Sequence, residues 1–180
     1  MSSMTEGQFD LREAVQVLEQ TPASVGELLR NLPPQWLTFQ EDPNAWSPLT
    51  VLIHFIHNER ANWIPRARVI LSDEGPGQFP PFRQLPENAE QEGKSIGELL
   101  KEFARLRDEN LAVLREFDLK PSDFDRQALH PVLGRVNLRQ LIATWVVHDL
   151  NHIHQIAKTL AKRYEDEVGP WRQNLAILDI

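Results

Sequence analysis

The chain contains no cysteine in its 180 residues. This absence excludes disulfide bonds, a thiolate nucleophile and every zinc site built with cysteine ligands. A reaction that uses a thiol would therefore have to take it from a separate molecule. Positive charge is also scarce, because the formal net charge is −7. Proteins that neutralise nucleic-acid phosphates usually carry a basic face, so we expect no nucleic-acid partner.

Long apolar runs are missing as well. The first residues have no positive segment followed by an apolar stretch, so no secretory signal is expected. No segment approaches the roughly 18 consecutive apolar residues that predict a transmembrane helix. Hydrophobic and charged residues make up 41% and 25% of the chain, which is ordinary for a globular protein. These features predict a cytoplasmic protein with no membrane partner, folded as a single domain over residues 1–180.

Helical periodicity predicts four long helices. They are expected over residues 9–32, 47–71, 95–117 and 138–164. Pro22 predicts a kink or a restart in the first helix, and Pro65 predicts a bend near residues 61–64 in the second. Residues that commonly cap helices stand at or directly before the start of three of these segments, at Ser47, Ser95 and Asn137.

The connections between these helices are long. Residues 72–93 are rich in proline and glycine, and we expect them to cross the surface without a secondary-structure element, as a candidate cover for a site. Residues 119–136 are expected to form a loop. No alternation of strand length appears anywhere. The predicted fold is an all-α, antiparallel four-helix bundle with long connections.

Two of the predicted helices carry most of the histidines. His148 and His152 are four residues apart, so they share one helix face, about 40° apart around the axis. Two imidazoles at this spacing can hold one metal ion without distorting the helix. His154 lies about 200° from His152 and should point elsewhere. In the second helix, either His54 or His57 would reach the pair if the two helices are neighbours.

His54 stands in the apolar stretch Val51-Leu52-Ile53-His54-Phe55, so its surroundings should be buried. A buried imidazole needs a polar partner, because leaving it unpaired costs free energy. The residues alone leave an alternative open. Two histidines at this spacing are more often unrelated side chains than a metal-binding pair.

The sequence resembles the DinB/YfiT-like superfamily in three places. These are residues 46–60, which include Trp46-Ser47-Pro48, His54 and Glu59-Arg60, residues 148–156 (HDLNHIHQI), and residues 168–171 (VGPW). The likeness covers nearly the whole chain in order and spacing. It implies a four-helix bundle, commonly dimeric, with a three-histidine metal site. The family's ligands match His54, eight residues after Trp46, together with His148 and His152.

Three imidazoles would leave open positions on the ion, as in catalytic zinc sites and unlike structural ones. His57 or Glu59 would close the site if either filled a fourth position. Asp149 is a candidate hydrogen-bond acceptor for a ligand N–H, with a surface or interface carboxylate as the alternative reading. Other candidates for the mouth of the site are Asn151, Gln155 and Arg60.

Imidazole suits several divalent metals, and zinc or nickel is our expectation. Members of the superfamily include thiol-dependent S-transferases and a maleylpyruvate isomerase. The resemblance therefore implies metal-assisted transfer of a low-molecular-weight thiol to a small-molecule electrophile. The alternative class is a non-catalytic metal-binding or stress-associated module. The resemblance also implies a homodimer.

Overall fold

The structure is a computed structural model that describes residues 9–85 and 93–179. It confirms the helical fold class. Its α-helices are α1 (Leu11–Leu29), α2 (Pro34–Leu37), α3 (Pro48–Ala61), α4 (Trp63–Leu71), α5 (Ile96–Glu116) and α6 (Leu138–Lys162). Short 3-10 helices lie at Pro121–Asp125, Gly169–Asn174 and Ala176–Leu178. Within the described ranges, no helix combines the length and hydropathy that crossing a lipid bilayer requires.

Four helical columns form the bundle: α1, α3 continued by α4, α5, and α6. Both α1 and α3 pack against α5 and α6, so α1 and α3 lie across a diagonal from each other. The first halves of α1 and α6 share one core cluster with α4 and the last half of α5. The last halves of α1 and α6 and the first half of α5 form a second cluster with α3. Thus α1 and α6 run in one direction, and α3 and α5 run in the other.

The helix starts follow the capping residues of the sequence. The Ser47 side chain accepts a hydrogen bond from the Thr50 backbone N–H. Ser95 and Asn137 each form a reciprocal capping box with the residue three positions later. These bonds satisfy backbone donors that have no partner inside the helix. The start of each of these helices is therefore specified locally.

The two internal prolines have different outcomes. Pro65 lacks the N–H that would bond to the Ala61 carbonyl, and the second predicted helix breaks at Asn62 into α3 and α4. The expected bend is thus confirmed. The alternative of a restart at Pro22 is wrong, because α1 continues through Pro22 as one helix. The Leu18 carbonyl, which Pro22 cannot bond, takes its hydrogen bond from another helix, as described below.

The expectation of a strandless loop over residues 119–136 is wrong. Strands β1 (Gln127–His130) and β2 (Gly134–Asn137) pair as an antiparallel hairpin directly before α6. Gly134 adopts φ of +76° at the end of the turn, a conformation that glycine takes at little cost. Each strand has only four residues, so neither is long enough to show alternation in the sequence.

The crossover between α4 and α5 pairs with this hairpin. The Phe79 N–H donates to the Leu129 carbonyl at 2.9 Å, and the Leu129 N–H donates to the Gly77 carbonyl at 2.8 Å. Residues 72–85 form no helix or strand, as expected, and a single isolated bridge at Gln78 joins them to β1. Residues 86–92 lie outside the described residues. The pairing brings residues 77–85 over the bundle next to α3.

Arg107 of α5 connects all four helical columns. Its side chain is 0% exposed. Nη1 donates to the Leu18 carbonyl of α1 at 2.8 Å and to Asp149 Oδ2 of α6 at 2.7 Å. Nη2 donates to Glu59 Oε1 of α3 at 2.7 Å. Burial disfavours the charged guanidinium, but the two carboxylates more than offset this and raise the pKa of Arg107.

We expect Arg107→Met to lower the free energy of unfolding by about 3–5 kcal/mol, because it leaves two buried carboxylates without their cation. Urea denaturation followed by circular dichroism measures the difference. Arg105→Met is the matched control, since Arg105 lies on the same helix but forms an exposed pair with Glu109. Loss of such a pair costs about 1 kcal/mol or less. Equal losses of unfolding free energy in the two variants would contradict the role of Arg107 as the cation of a buried ion cluster.

Candidate metal centre

Three histidines from two neighbouring helices converge at the middle of the bundle. His54 lies within α3, and His148 and His152 lie one turn apart in α6. Each offers one ring nitrogen, and these three atoms lie within 4.8 Å of one another. Nε2 of His54 is 2.9 Å from Nε2 of His148. The chain thus places three imidazole nitrogens around one point.

The other ring nitrogens are directed at hydrogen-bond acceptors. Nδ1 of His54 lies 2.5 Å from the Gln84 carbonyl, and Nδ1 of His152 lies 2.8 Å from Oε1 of Gln155. Nδ1 of His148 faces Oδ1 of Asp149 at 3.5 Å. An acceptor at Nδ1 holds the proton there, which leaves the Nε2 lone pair free. The rings of His54 and His152 therefore favour the tautomer that ligates a metal through Nε2. For His148, Asp149 is the nearby acceptor, although the two atoms form no hydrogen bond.

Burial disfavours a charge on two of the three histidines. It lowers the pKa of His54 from its ordinary value of 6.5 to about 4. It also lowers the pKa of His152, with repulsion from His148 as a smaller cause. Neutral imidazoles at 2.9 Å would face each other with two lone pairs, an arrangement that a cation between them relieves. The donor set therefore fits a divalent ion.

The Asp149 carboxylate joins the histidines to the buried ion cluster. It is fully buried, and its Oδ2 accepts from Arg107 at 2.7 Å. Its Oδ1 and Nδ1 of His148 are both buried without a hydrogen-bond partner among the described residues. These atoms face each other slightly beyond hydrogen-bond distance. A carboxylate in this position orients a ligating histidine and raises its basicity.

A cavity of about 310 Å³ opens beside the three histidines. Its walls are mostly aromatic and apolar, and they come from α3, α4, α6, the crossover and the hairpin; they include Trp46, Trp63, Phe79, Phe82, Leu141 and Val136. Polar wall residues include Asn58, Gln140 and Thr144. None of the described residues that line it carries a carboxylate. The volume suits a small organic molecule next to an ion.

Comparison with known proteins identifies the family. The family model described as the DinB superfamily matches residues 17–156. The chain belongs to the DinB superfamily.

A solved structure agrees with this membership at the level of the fold. The chain is similar to YfiT from Bacillus subtilis, described as a probable metal-dependent hydrolase with an unusual four-helix bundle topology. The sequences are 20% identical, the match covers 90% of this chain and 93% of that chain, and the TM-score is 0.72. No curated protein matches the chain.

Within this DinB-superfamily bundle, neither candidate for a fourth ligand reaches the histidine cluster. Glu59 points away from it, because its carboxylate accepts from Arg107, Asn110 and Trp145. His57 is directed at the crossover, where its Nε2 lies 3.0 Å from the Arg83 carbonyl. These contacts direct both side chains away from the alternative in which one of them would fill a fourth position. All three histidines line the cavity.

The remaining sequence candidates fall in different places. Gln155 contacts His152, whereas Asn151 is exposed and lines a shallow groove outside the cavity. Arg60 forms an ion pair with Glu102 of α5 and does not line the cavity. His154 is exposed, as its direction on the helix predicts.

Sequence reasoning did not single out Asn58, Gln84 or Arg107. Asn58 follows His54 by one turn, and its side-chain N–H donates to the His54 carbonyl at 2.9 Å. Gln84 acts through its backbone carbonyl, so its side chain gives no signal. Arg107 does leave a signal, since it interrupts the apolar spacing of Phe103 and Leu111 on α5. A charged residue in such a stripe predicts a buried ion pair.

The lowered pKa of His54 makes the metal-free protein sensitive to acid. Between pH 6.5 and about 4 the unfolded chain binds a proton at this position and the folded chain does not, so stability is present above pH 6.5 and is lost as the pH falls toward 4. In chelator-treated protein, we expect the urea midpoint to fall less between pH 7 and pH 5 in His54→Gln than in the wild type. His154→Gln is the control and should retain the wild-type difference. An unchanged difference in His54→Gln would contradict the burial of a neutral imidazole.

Proposed function

We propose that this protein is a metal-dependent enzyme that transfers a low-molecular-weight thiol to a small electrophile. The observation that supports this most directly is the three-histidine cluster that lines a largely aromatic and apolar cavity. In this proposal His54, His148 and His152 hold the ion, with zinc or nickel as the expected metal. A bound ion of this kind lowers the pKa of a coordinated thiol, so that the thiolate is available at neutral pH.

The chain's own residues then have three tasks. The Gln84 carbonyl and Gln155 hold two of the imidazoles in the ligating tautomer, and Asp149 faces the third. The aromatic walls bind the apolar part of the electrophile and exclude water. The buried Arg107 keeps Asp149 in place, so it acts as a positioning residue.

The polar groups of the cavity favour a thiol over water as the nucleophile. Hydrolysis at a single metal commonly uses a nearby carboxylate as general base. Here Glu59 is held by Arg107, and no described wall residue is an aspartate or glutamate. A thiolate formed on binding needs no such base. Because the chain has no cysteine, the thiol must come from a cofactor.

Two further parts of the proposal stay predictions. A cytoplasmic location suits the reaction, since small thiols are kept reduced there. A homodimer would have apolar surface available on the outer face of α6, where Val147 and Leu150 are 63% and 51% exposed. This face is separate from the cavity walls.

Purified without a histidine tag, the wild-type protein should contain about one zinc or nickel per chain. His148→Ala and His152→Ala should each lose this metal, because two imidazoles hold a divalent ion much more weakly than three. Elemental analysis by mass spectrometry measures the content. His154→Ala is the matched control on the same helix and should keep it. Absence of metal from the wild type, even after incubation with zinc and nickel, would refute the site.

The metal-loaded protein should accelerate alkylation of glutathione or cysteine by monochlorobimane, a fluorogenic electrophile. The rate should fall at least about 100-fold in His148→Ala, since even changes around metal ligands cost about 10–100-fold. Hydrolysis of p-nitrophenyl acetate under the same conditions tests the competing activity suggested by the YfiT description. Thiol-independent hydrolysis without alkylation would replace the transferase proposal. Bound metal with neither activity for a panel of thiols and electrophiles would favour the non-catalytic module.

A further inference from the structure

The far side of the cavity contains a cation without an ion-pair partner. Arg66 of α4 lines the cavity, and among the described residues no carboxylate or other side chain bonds to its guanidinium. By contrast, the buried Arg107 of α5 has two carboxylate partners. A half-buried cation that the protein leaves unpaired is costly, so it points to an anion supplied from outside.

The guanidinium of Arg66 is held in place by two aromatic rings of the crossover. It lies 4.9 Å from the ring centroid of Phe79 and 5.4 Å from that of Phe82. Such contacts attract a cation while leaving the N–H groups at the edge of the guanidinium free to donate. Burial lowers the pKa of Arg66, although guanidinium remains charged at neutral pH. The group is thus ordered but not neutralised.

His130 adds a directed donor beside Arg66. Its Nδ1 accepts from the backbone N–H groups of Val132 and Leu133, both at 3.1 Å. The proton of the neutral ring is therefore on Nε2. His130 lines the same cavity and packs edge-on against Phe79. A hairpin residue and a helix residue thus present N–H groups to the same space.

The wall between the histidines and Arg66 also has hydrogen-bonding atoms that the protein does not use. His54, Asn58, Asn62 and Arg66 recur at every fourth residue, and all four line the cavity. Oδ1 of Asn62 and Nε1 of Trp63 are buried without a partner among the described residues. Twelve residues of helix separate His54 from Arg66, which corresponds to about 18 Å of axis before the bend and the length of the arginine side chain shorten it.

We propose that Arg66 and His130 form an anion subsite that binds the carboxylate of an elongated, otherwise apolar small molecule whose other end lies at the three histidines. This inference rests on the proposed function for what happens at the metal, but not for the binding of the carboxylate. A charge-assisted bond to guanidinium in a partly buried site favours a carboxylate over a neutral group of similar size by about 10- to 100-fold in affinity.

Isothermal titration calorimetry of the protein as purified tests the subsite, with 4-phenylbutyrate and 4-phenyl-1-butanol as probes. Neither probe has a thiol, so the result does not depend on thiol transfer. The wild type should bind the carboxylate at least about tenfold more tightly than the alcohol. Arg66→Gln should abolish this preference, and Arg66→Lys should keep part of it. Arg68→Gln is the matched control, because Arg68 is exposed on the same helix and its loss changes the net charge equally.

Several outcomes would overturn the subsite. One is equal binding of the two probes by the wild type, and another is a preference that persists in Arg66→Gln. A preference lost in His148→Ala but kept in Arg66→Gln would place the carboxylate at the metal instead. Thermal denaturation of each variant distinguishes misfolding from loss of binding. If Arg66→Gln is unstable, a preference for the carboxylate that is retained in Arg66→Lys still supports the subsite. The protein could fail to transfer thiols and still show an Arg66-dependent preference for the carboxylate probe. That result would refute the proposed reaction and support the subsite.

Steady-state kinetics distinguishes a carboxylate carried by the thiol from one carried by the electrophile. The first comparison is 6-mercaptohexanoate against 6-mercapto-1-hexanol, and the second is 6-iodohexanoate against 6-iodo-1-hexanol, because these chains are long enough to place the carboxylate away from the reacting end. Arg66→Gln should raise KM for the charged member of one pair by about 10-fold or more and leave its neutral partner unchanged. A uniform change in all four, or none, would contradict a role for Arg66 in substrate selection.

Discussion

The arrangement of the four helical columns depends on the side chain of Arg107. Its donors reach α1, α3 and α6 from α5, so every column is tied to one buried cation. The bond to α1 exists because Pro22 cannot use the Leu18 carbonyl. Proline ordinarily weakens a helix, but here it leaves the Leu18 carbonyl available to accept a hydrogen bond from the neighbouring helix. The interior of this bundle is therefore held by directed polar bonds as well as by apolar packing, and directed bonds fix the relative levels of the helices.

The same cluster sets the position of the metal centre. Asp149 uses one oxygen for Arg107 and turns the other toward His148. A shift of α6 by one turn would break the first contact and would also move one of the two α6 histidines away from His54. Stability and the geometry of the centre thus depend on one carboxylate.

The features that could be predicted from the sequence are those encoded within one or two helical turns. Caps at Ser47, Ser95 and Asn137, the break before Pro65 and the shared face of His148 and His152 all follow from local spacing. Contacts between segments that are distant in the sequence could not be predicted in this way. The hairpin strands are too short to alternate, and Gln84 contributes a backbone carbonyl that any residue possesses. Arg107 was visible as a charge in an apolar stripe, but its partners belong to three other helices. Arg66 carries no motif, and only the folded crossover places aromatic rings beside it.

The bond between the Gln84 carbonyl and Nδ1 of His54 has a consequence for the crossover as a whole. A ligand on Nε2 increases the acidity of the proton on Nδ1, which strengthens its bond to the carbonyl. By thermodynamic reciprocity, if a bound ion favours the observed position of the crossover by some factor, the crossover in that position strengthens ion binding by the same factor. Phe79 and Phe82 hold that crossover, and the occupant of the cavity would contact both. The metal and the cavity's occupant are therefore expected to bind cooperatively, because both favour the same position of the crossover.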